Sequence, residues 1–177
     1  MFNNIFKDIL LETNRLILRN FNNEDKNEFF KITRDPLIYE TLPEDHMYSK
    51  NEISEIIDWF IHQYNMNSLG NILKFPLAII LKNEQILIGD IGIGQYSMDK
   101  SKMEILYFIN SKYWNKKYMT EALDVFLKYV KDHKLVSSLI GTIVPKNIAS
   151  SKLLIKNGFI KIKHDYNDIR DMYELKI

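Results

Sequence analysis

The fold is decided by the stretch YFINSKYWNKKYMTEALDVFLKYVKDHKL, which runs from residue 107 to residue 135. It begins as an apolar strand, passes through a polar turn at 113–119 and continues as an amphipathic helix predicted over about 120–132. A helix start attracts anions through its free N–H groups and its dipole. The turn carries Lys116 and Lys117 and no acid, which favours a bound phosphate. The alternative is a solvated lysine-rich turn.

The N-terminal part of the chain predicts strands and helices in alternation. In chain order, we predict a strand over about 15–21, a helix ending before Pro36, a helix over about 50–64 opened by Ser49, and strands over 75–81, 85–96 and 103–109. Gly89, Gly92 and Gly94 indicate bulges or close approach by another backbone. We expect residues 1–11 to be a loose lead-in and residues 35–48 to be irregular.

The C-terminal part predicts one more strand, one short helix and a closing hairpin. The strand covers 139–144, the helix covers 147–157, and Gly158 supplies a left-handed stop. The hairpin joins 159–163 to 169–175. Helices and strands are mixed without a repeat or linker, so the sequence predicts one α/β (α+β) domain over residues 1–177.

Composition excludes several classes of site and partner. Net charge is +1, so we expect neither a nucleic acid nor a membrane partner. The sequence favours no particular oligomeric state. The absence of cysteine excludes disulfides and cysteine nucleophiles and fits a cytoplasmic protein. No signal peptide is expected at the N-terminus. The four histidines, His46, His62, His133 and His164, lack metal-ligand spacing, so we predict no metal.

A second polar segment follows the predicted strand at 139–144. Asn147, Ser150 and Ser151 form a polar face at the start of the short helix. Helix capping by Asn147 is the simplest interpretation, and it is compatible with ligand binding.

Together these segments resemble the GNAT superfamily of N-acetyltransferases, in its ribosomal-protein-alanine acetyltransferase branch. The matching motifs are LETNRLILR at 11–19, LIGDIG at 87–92, EILYFI at 104–109, YW through TEAL at 113–123, and NIAS followed by GF at 147–159. The resemblance covers about residues 11–175. It implies a mostly antiparallel sheet of about six to seven strands with about four helices, splayed between the family's fourth and fifth strands, here 103–109 and 139–144.

The resemblance also implies a cofactor, acetyl-CoA, and the residues that hold it. The pantetheine arm is expected to pair with backbone near Phe108 and Ile109, inside the splay. The remaining expected cofactor contacts are Asn115, Lys116, Lys117, Tyr118, Met119 and Thr120 in the turn, and Asn147 and Ser150 at the short helix.

The turn departs from the family at three positions. Relatives carry small residues there, where this chain has Asn115, Lys117 and Met119. Glycine permits positive φ and close backbone approach to a pyrophosphate. A non-glycine residue at positive φ costs about 1 kcal/mol or more. We therefore expect weakened or altered cofactor binding at this turn.

Two residues are the expected catalytic groups. Many relatives protonate the departing thiolate with a tyrosine, but that position is Leu154 here. In the ribosomal-protein branch a serine takes this role, which implies Ser150; the alternative is an ordinary first-turn hydroxyl. Glu104 is the candidate base, and its alternative is an exposed charge at a strand start. Asp90 is a weaker candidate of the same kind.

The expected function is acetyl transfer from acetyl-CoA to a primary amine, either a protein N-terminus or a small molecule. Glu40, Glu44 and Asp45 give a slight preference for a cationic amine. The alternatives are an enzyme for longer acyl-CoA and a catalytically weakened module that binds CoA or a protein.

Overall fold

The computed structural model describes residues 4–39, 47–162 and 169–177. The strands are β1 (Leu10–Glu12), β2 (Leu16–Arg19), β3 (Lys74–Leu81), β4 (Ile86–Gln95), β5 (Met103–Ile109), β6 (Ser138–Ile143), β7 (Ile160–Ile162) and β8 (Asp171–Lys176). The helices are α1 (Lys26–Thr33), α2 (Pro36–Tyr39), α3 (Lys50–Met66), α4 (Tyr118–Asp132) and α5 (Ile148–Lys156).

The strands form one sheet in the order β1-β2-β3-β4-β5-β6-β8-β7. Its strand pairs are antiparallel except β5 and β6, which run parallel, so the predicted mixed sheet is confirmed. Among the described residues a single aligned pair, Glu104 with Ile140, joins β5 to β6, whereas seven pairs join β4 to β5. The two strands therefore part toward their C-terminal ends, as the resemblance implies.

Helices cover both faces of the sheet. On one face α4 packs into the main core through Phe126, Leu127 and Val130. On the other face α1 and α3 bury Phe29 and Ile57 against β3 and β4. The sheet is thus the middle layer of three, and the gap between β5 and β6 opens beside α4 and α5.

Two predictions for the N-terminal third are wrong. Part of the expected lead-in is strand β1, which pairs with β2. In the described part of the chain the sheet therefore has eight strands, and the splay falls between the fifth and sixth. Part of the expected irregular segment is helix α2. Pro36 is its first residue, where a fixed φ suits a helix and no N–H is needed. The acidic residues at positions 40, 44 and 45 lie outside the described residues.

The predicted helix cap at Ser49 and the close backbone approach at the glycine-rich strand are confirmed. Capping boxes at Asn22 and Ser49 begin the 3-10 turn before α1 and helix α3. A Cβ at Gly89 would lie 2.3 Å from the carbonyl oxygen of Phe108. Only glycine permits such an approach between β4 and β5, and the approach occurs beside the C-terminal half of β5, where the splay opens.

Candidate active site

The polar turn before α4 has the backbone that glycine would favour. Asn115 and Lys117 adopt left-handed φ values of 61° and 62°. The third departing residue, Met119, is helical, half-buried and packed against the main core. Two of the three positions where relatives carry small residues thus have left-handed geometry without glycine, and the third, Met119, packs its side chain on the core.

The start of α4 is open to an anion. Lys117 is its N-cap residue, and within the described ranges no side chain caps the helix. Asn115, Lys116 and Lys117 are exposed. The expected contacts Tyr118 and Thr120 lie in the first turn, where backbone N–H groups point away from the helix. The combination of free donors and two cationic side chains suits a phosphate.

Arg15, which precedes β2, braces this turn. Its guanidinium pairs with Glu121, with Nε 2.7 Å from Oε2, and its Nη1 donates to the carbonyl of Lys116 at 3.1 Å. Its Cζ also lies 4.3 Å from the ring centroid of Tyr118. Thr13 donates a hydrogen bond to Glu121 as well. The Arg15 side chain therefore contacts Lys116 in the turn, Tyr118 at the first position of α4, and the Glu121 carboxylate in the first turn of α4.

The brace also fixes the charge state of Glu121. Partial burial would raise the pKa of this carboxyl, but hydrogen bonds from Thr13 and Arg15 outweigh it and hold the pKa below its usual value. Sequence reasoning quoted Arg15 and Glu121 within family motifs and gave neither a role. The pairing joins residues about a hundred positions apart, so no local pattern shows it.

The end of β5 is partly engaged by the turn itself. The indole N–H of Trp114 donates to the carbonyl of Ile109 at 2.8 Å. The ring of Phe108 packs on Phe29 with centroids 5.6 Å apart. The carbonyl of Ile109 therefore already has a partner, and the side chain of Phe108 belongs to the α1 and α3 side of the sheet.

The start of α5 is closed by its own cap. The side-chain oxygen of Asn147 accepts the backbone N–H of Ser150 at 3.1 Å. The hydroxyl of Ser151 donates to the Asn147 carbonyl at 3.3 Å. Ser150 is half-buried, and the hydroxyl of Tyr107 lies 3.5 Å from its carbonyl oxygen. Asn147 is thus a helix cap here, whereas the backbone carbonyl of Ser150 faces the Tyr107 hydroxyl from β5.

Leu154 is a core residue. It is fully buried in the main cluster, and a Cβ at Gly141 would lie 2.7 Å from its Cδ1. The position where many relatives carry a tyrosine is therefore filled by an aliphatic side chain packed against β6.

Glu104 is buried, so its interpretation as an exposed charge is wrong. It is 8% exposed and accepts a hydrogen bond from Thr142 at 2.5 Å. Burial raises the pKa of Glu104, although Thr142, Arg170 and Lys74 oppose this. It lies at the joined end of β5 and β6, about 10 Å along the strand from Tyr107.

Asp90 is the second buried carboxylate of this region. It lies opposite Phe108 in β4, and within the described part of the chain its Oδ1 is buried without a hydrogen-bond partner. Burial raises the pKa of Asp90 to about 7, with Lys74 and the Phe108 backbone opposing. It is nearer than Glu104 to the open end of the splay.

Among the described residues, no cluster of three or more His, Cys, Asp or Glu side chains is arranged to hold a metal ion. His62 and His133 are exposed, and the other two histidines lie outside the described residues. In the same part of the chain, no helix combines the length and apolar character that crossing a membrane requires.

The topology brings the two candidate helix starts to one edge of the sheet. β5 leads into α4 and β6 leads into α5, and these parallel strands are neighbours. Residues 15–160 match the family model described as the acetyltransferase (GNAT) domain. The chain belongs to this family. GNAT enzymes of this kind are acyl-CoA-dependent N-acyltransferases, and the chain is one of them.

Individual relatives agree with the family. The chain is 29% identical over 148 residues to the uncharacterized N-acetyltransferase YnaD of Bacillus subtilis, covering 84% of this chain and 81% of that protein. Its fold is similar to a ribosomal-protein-S5-alanine acetyltransferase from Vibrio fischeri, with TM-score 0.77, 17% identity and coverage of 96% and 97%. RimL, a ribosomal-protein acetyltransferase solved in complex with coenzyme A, gives TM-score 0.78, 13% identity and coverage of 96% and 98%.

Proposed function

We propose that this GNAT enzyme transfers an acetyl group from acetyl-CoA to a primary amine, either a protein N-terminus or a small molecule. The observation that carries the proposal is the uncapped start of α4, next to the mouth of the β5–β6 splay. A cytoplasmic location is part of the proposal, and the cysteine-free sequence is consistent with it.

The residues present fit a CoA pyrophosphate. Lys116 and Lys117 supply positive charge, and the left-handed backbone at Asn115 and Lys117 exposes the first N–H groups of α4. Backbone donors survive the replacement of glycine, because only proline removes an N–H. The coenzyme A complex of RimL, whose fold is similar, supports the same assignment. When bound, acetyl-CoA supplies a thioester, which is the activated acyl group.

Three groups of this chain are assigned to the chemistry. Glu104 takes the proton of the attacking amine through water, since about 10 Å of strand separates it from the region of Tyr107. The Ser150 hydroxyl donates to the departing sulfur. Backbone N–H groups near Phe108, at the end of β5, stabilise the developing oxyanion.

A second candidate function is a module that binds CoA or a protein with weakened catalysis. Two observations favour it. Asn115 and Lys117 occupy a left-handed turn without glycine, and Leu154 fills the family's tyrosine position with a core side chain. Turnover with an amine separates the two candidates.

An acceptor screen tests the proposed function. Purified protein and acetyl-CoA are mixed with a panel of peptides with free N-termini, polyamines and aminoglycosides, and released thiol is measured. We expect thiol release that requires both protein and one class of amine. The screen is repeated with Ser150→Ala. Ser151→Ala is its matched control, since both variants remove a first-turn hydroxyl of α5. Binding of acetyl-CoA with no release for any amine supports the module instead.

A further inference from the structure

Lys74, the first residue of β3, crosses over a glycine that lies beside the proposed base. In the sheet Lys74 is paired with Gly94 of β4, and Gly94 is paired in turn with Glu104 of β5. A Cβ at Gly94 would lie 2.7 Å from Cδ of Lys74 and 3.4 Å from its Nζ. The lysine side chain therefore occupies the space that a side chain at position 94 would take.

The side chains of Lys74 and Glu104 lie on the same face of the sheet. Residues directly opposite each other in antiparallel strands share a face, so Lys74, Gly94 and Glu104 do so. Side chains alternate along a strand, and Glu104 is four residues before Phe108, whose ring packs on Phe29 of α1. The ammonium over Gly94 is thus next to the strand that carries the Glu104 carboxyl, on the α1 and α3 side.

Other polar and charged groups lie near Glu104 on this face. In the described part of the chain they are Thr142 of β6, which donates to its Oε1, Arg170 just before β8, Glu174 of β8, which is paired with Ile140 in the same row, and Asp90 of β4. Arg170 approaches from the β8 side of the sheet, so Lys74 supplies the positive charge on the β4 side.

Glu104 needs nearby positive charge to act as a base. A buried carboxyl favours its neutral form, whereas a base must be ionised to accept a proton. Burial raises the pKa of Glu104, and the Thr142 hydroxyl, Arg170 and Lys74 oppose the rise. The glycine at position 94 determines where the Lys74 charge lies, because it leaves room for the methylene stem.

We propose that Lys74 is a positioning residue for the base: its ammonium, held over Gly94, keeps Glu104 ionised so that Glu104 can accept the amine proton through water. This inference rests on the proposed acetyl-transfer function, in which Glu104 is the base. It also gives Gly94 a role, since a methyl group at that position would separate the ammonium from the carboxylate.

The direct test is the titration of the Glu104 carboxyl, which needs neither acetyl-CoA nor an acceptor. Protein with ¹³C-labelled glutamate carboxyls is titrated by NMR, and the Glu104 resonance is identified by its loss in Glu104→Gln. Removing a nearby positive charge raises a carboxyl pKa, so Lys74→Met should raise the Glu104 pKa by about half a unit, roughly a threefold change in acidity. Lys74→Arg keeps the charge and should titrate like the wild type.

Lys82→Met is the matched control for Lys74→Met. Lys82 follows the opposite end of β3, where its Nζ lies 2.7 Å from Oε2 of Glu12. Its removal should leave the Glu104 pKa unchanged. A Glu104 pKa that is the same in Lys74→Met and the wild type, or that rises equally in Lys82→Met, overturns the inference.

Gly94→Ala tests the geometry without removing the charge. The added methyl displaces the flexible Lys74 stem, so the Glu104 pKa should rise in Gly94→Ala. Combined with Lys74→Met, the same change should give no further rise, because Gly94 acts through Lys74. Shifts that add in the double variant overturn the inference.

The pH–rate profile links the titration to the reaction. The acidic limb of kcat/KM should move to higher pH in Lys74→Met by the same amount as the Glu104 pKa. An unmoved limb and titration in an active enzyme overturn this inference and leave the proposed function standing. A wild type that acetylates no amine overturns both, so the two failures are distinguishable.

Discussion

The starts of α4 and α5 lie at the same edge of the sheet, yet they are built differently. α4 begins at left-handed Lys117, and no described side chain caps it. α5 begins at Asn147, whose side chain accepts the N–H of Ser150. An uncapped helix start keeps all of its free N–H donors for a ligand, whereas at α5 the Asn147 side chain has already taken the N–H of Ser150. We therefore assign cofactor binding to α4 and leaving-group chemistry to Ser150 of α5.

The largest effect is expected at Glu104, the proposed base, which lies in β5 and belongs to neither helix start. Glu104→Gln should lower kcat/KM about a hundredfold at neutral pH. Burial raises the pKa of Glu104, so wild-type activity falls as pH drops through a value above that of an ordinary glutamate. The variant should lose this acidic limb, and its activity should shift to higher pH, where free amine is more abundant. A pH–rate profile measures both changes.

Asp90→Asn is the comparison for that profile, because Asp90 is the other buried carboxylate of the region. We expect it to leave the acidic limb in place. An unaltered profile in Glu104→Gln together with a lost limb in Asp90→Asn would transfer the base role to Asp90.

Ser150→Ala should lower kcat by about ten- to a hundredfold with little change in acetyl-CoA affinity. The loss falls on kcat because the hydroxyl is needed when sulfur departs. Single-turnover kinetics and calorimetry separate the two quantities, with Ser151→Ala expected to retain kcat. A loss confined to affinity would place α5 in cofactor binding and erase the difference between the two helix starts.

Arg15→Met should weaken acetyl-CoA binding about tenfold, because the turn would then be ordered only on binding. Arg19→Met is a matched control: Arg19 forms a two-pronged pair with Asp25 at 2.7 and 2.8 Å on the same strand segment, away from the turn. The control should lower the unfolding temperature but leave the Kd unchanged. If Arg15→Met and Arg19→Met bound acetyl-CoA with the same Kd, the contacts of Arg15 with the turn would stabilise the fold without contributing to cofactor binding.

Lys117→Gly has the smallest expected effect. Glycine adopts the left-handed φ of 62° without strain, so the free energy of unfolding should rise by about 0.5–1 kcal/mol. Lys116→Gly, at a neighbouring position without positive φ, should lower it instead. Thermal denaturation measures both, and a stabilised Lys116→Gly would show that strain is not specific to residue 117.

Much of the fold follows from local sequence signals. The capping box at Ser49 predicted the start of α3, and the apolar run at 103–109 predicted the bounds of β5. β1 was missed because a strand of three residues, with Leu11 half-buried and its two neighbours exposed, is too short to show a pattern. Helix α2 was missed because Pro36 was read only as a stop, although proline also begins helices.

The sequence predicts individual residues of the site, but it does not predict the contacts between distant segments. Ser150 and the turn could be named from motifs, and the left-handed backbone at Asn115 and Lys117 was expected from the family's glycines. The Arg15–Glu121 pair and the Tyr107–Ser150 approach join distant segments, so only tertiary structure reveals them. The site roles themselves stay predictions.

Calorimetric titration of acetyl-CoA into the wild-type protein tests the assignment of cofactor binding to α4 most directly. We predict saturable binding at one site per chain, weakened by Arg15→Met and unchanged by Arg19→Met. Absence of heat at high micromolar acetyl-CoA, in a sample shown to be folded, would contradict it.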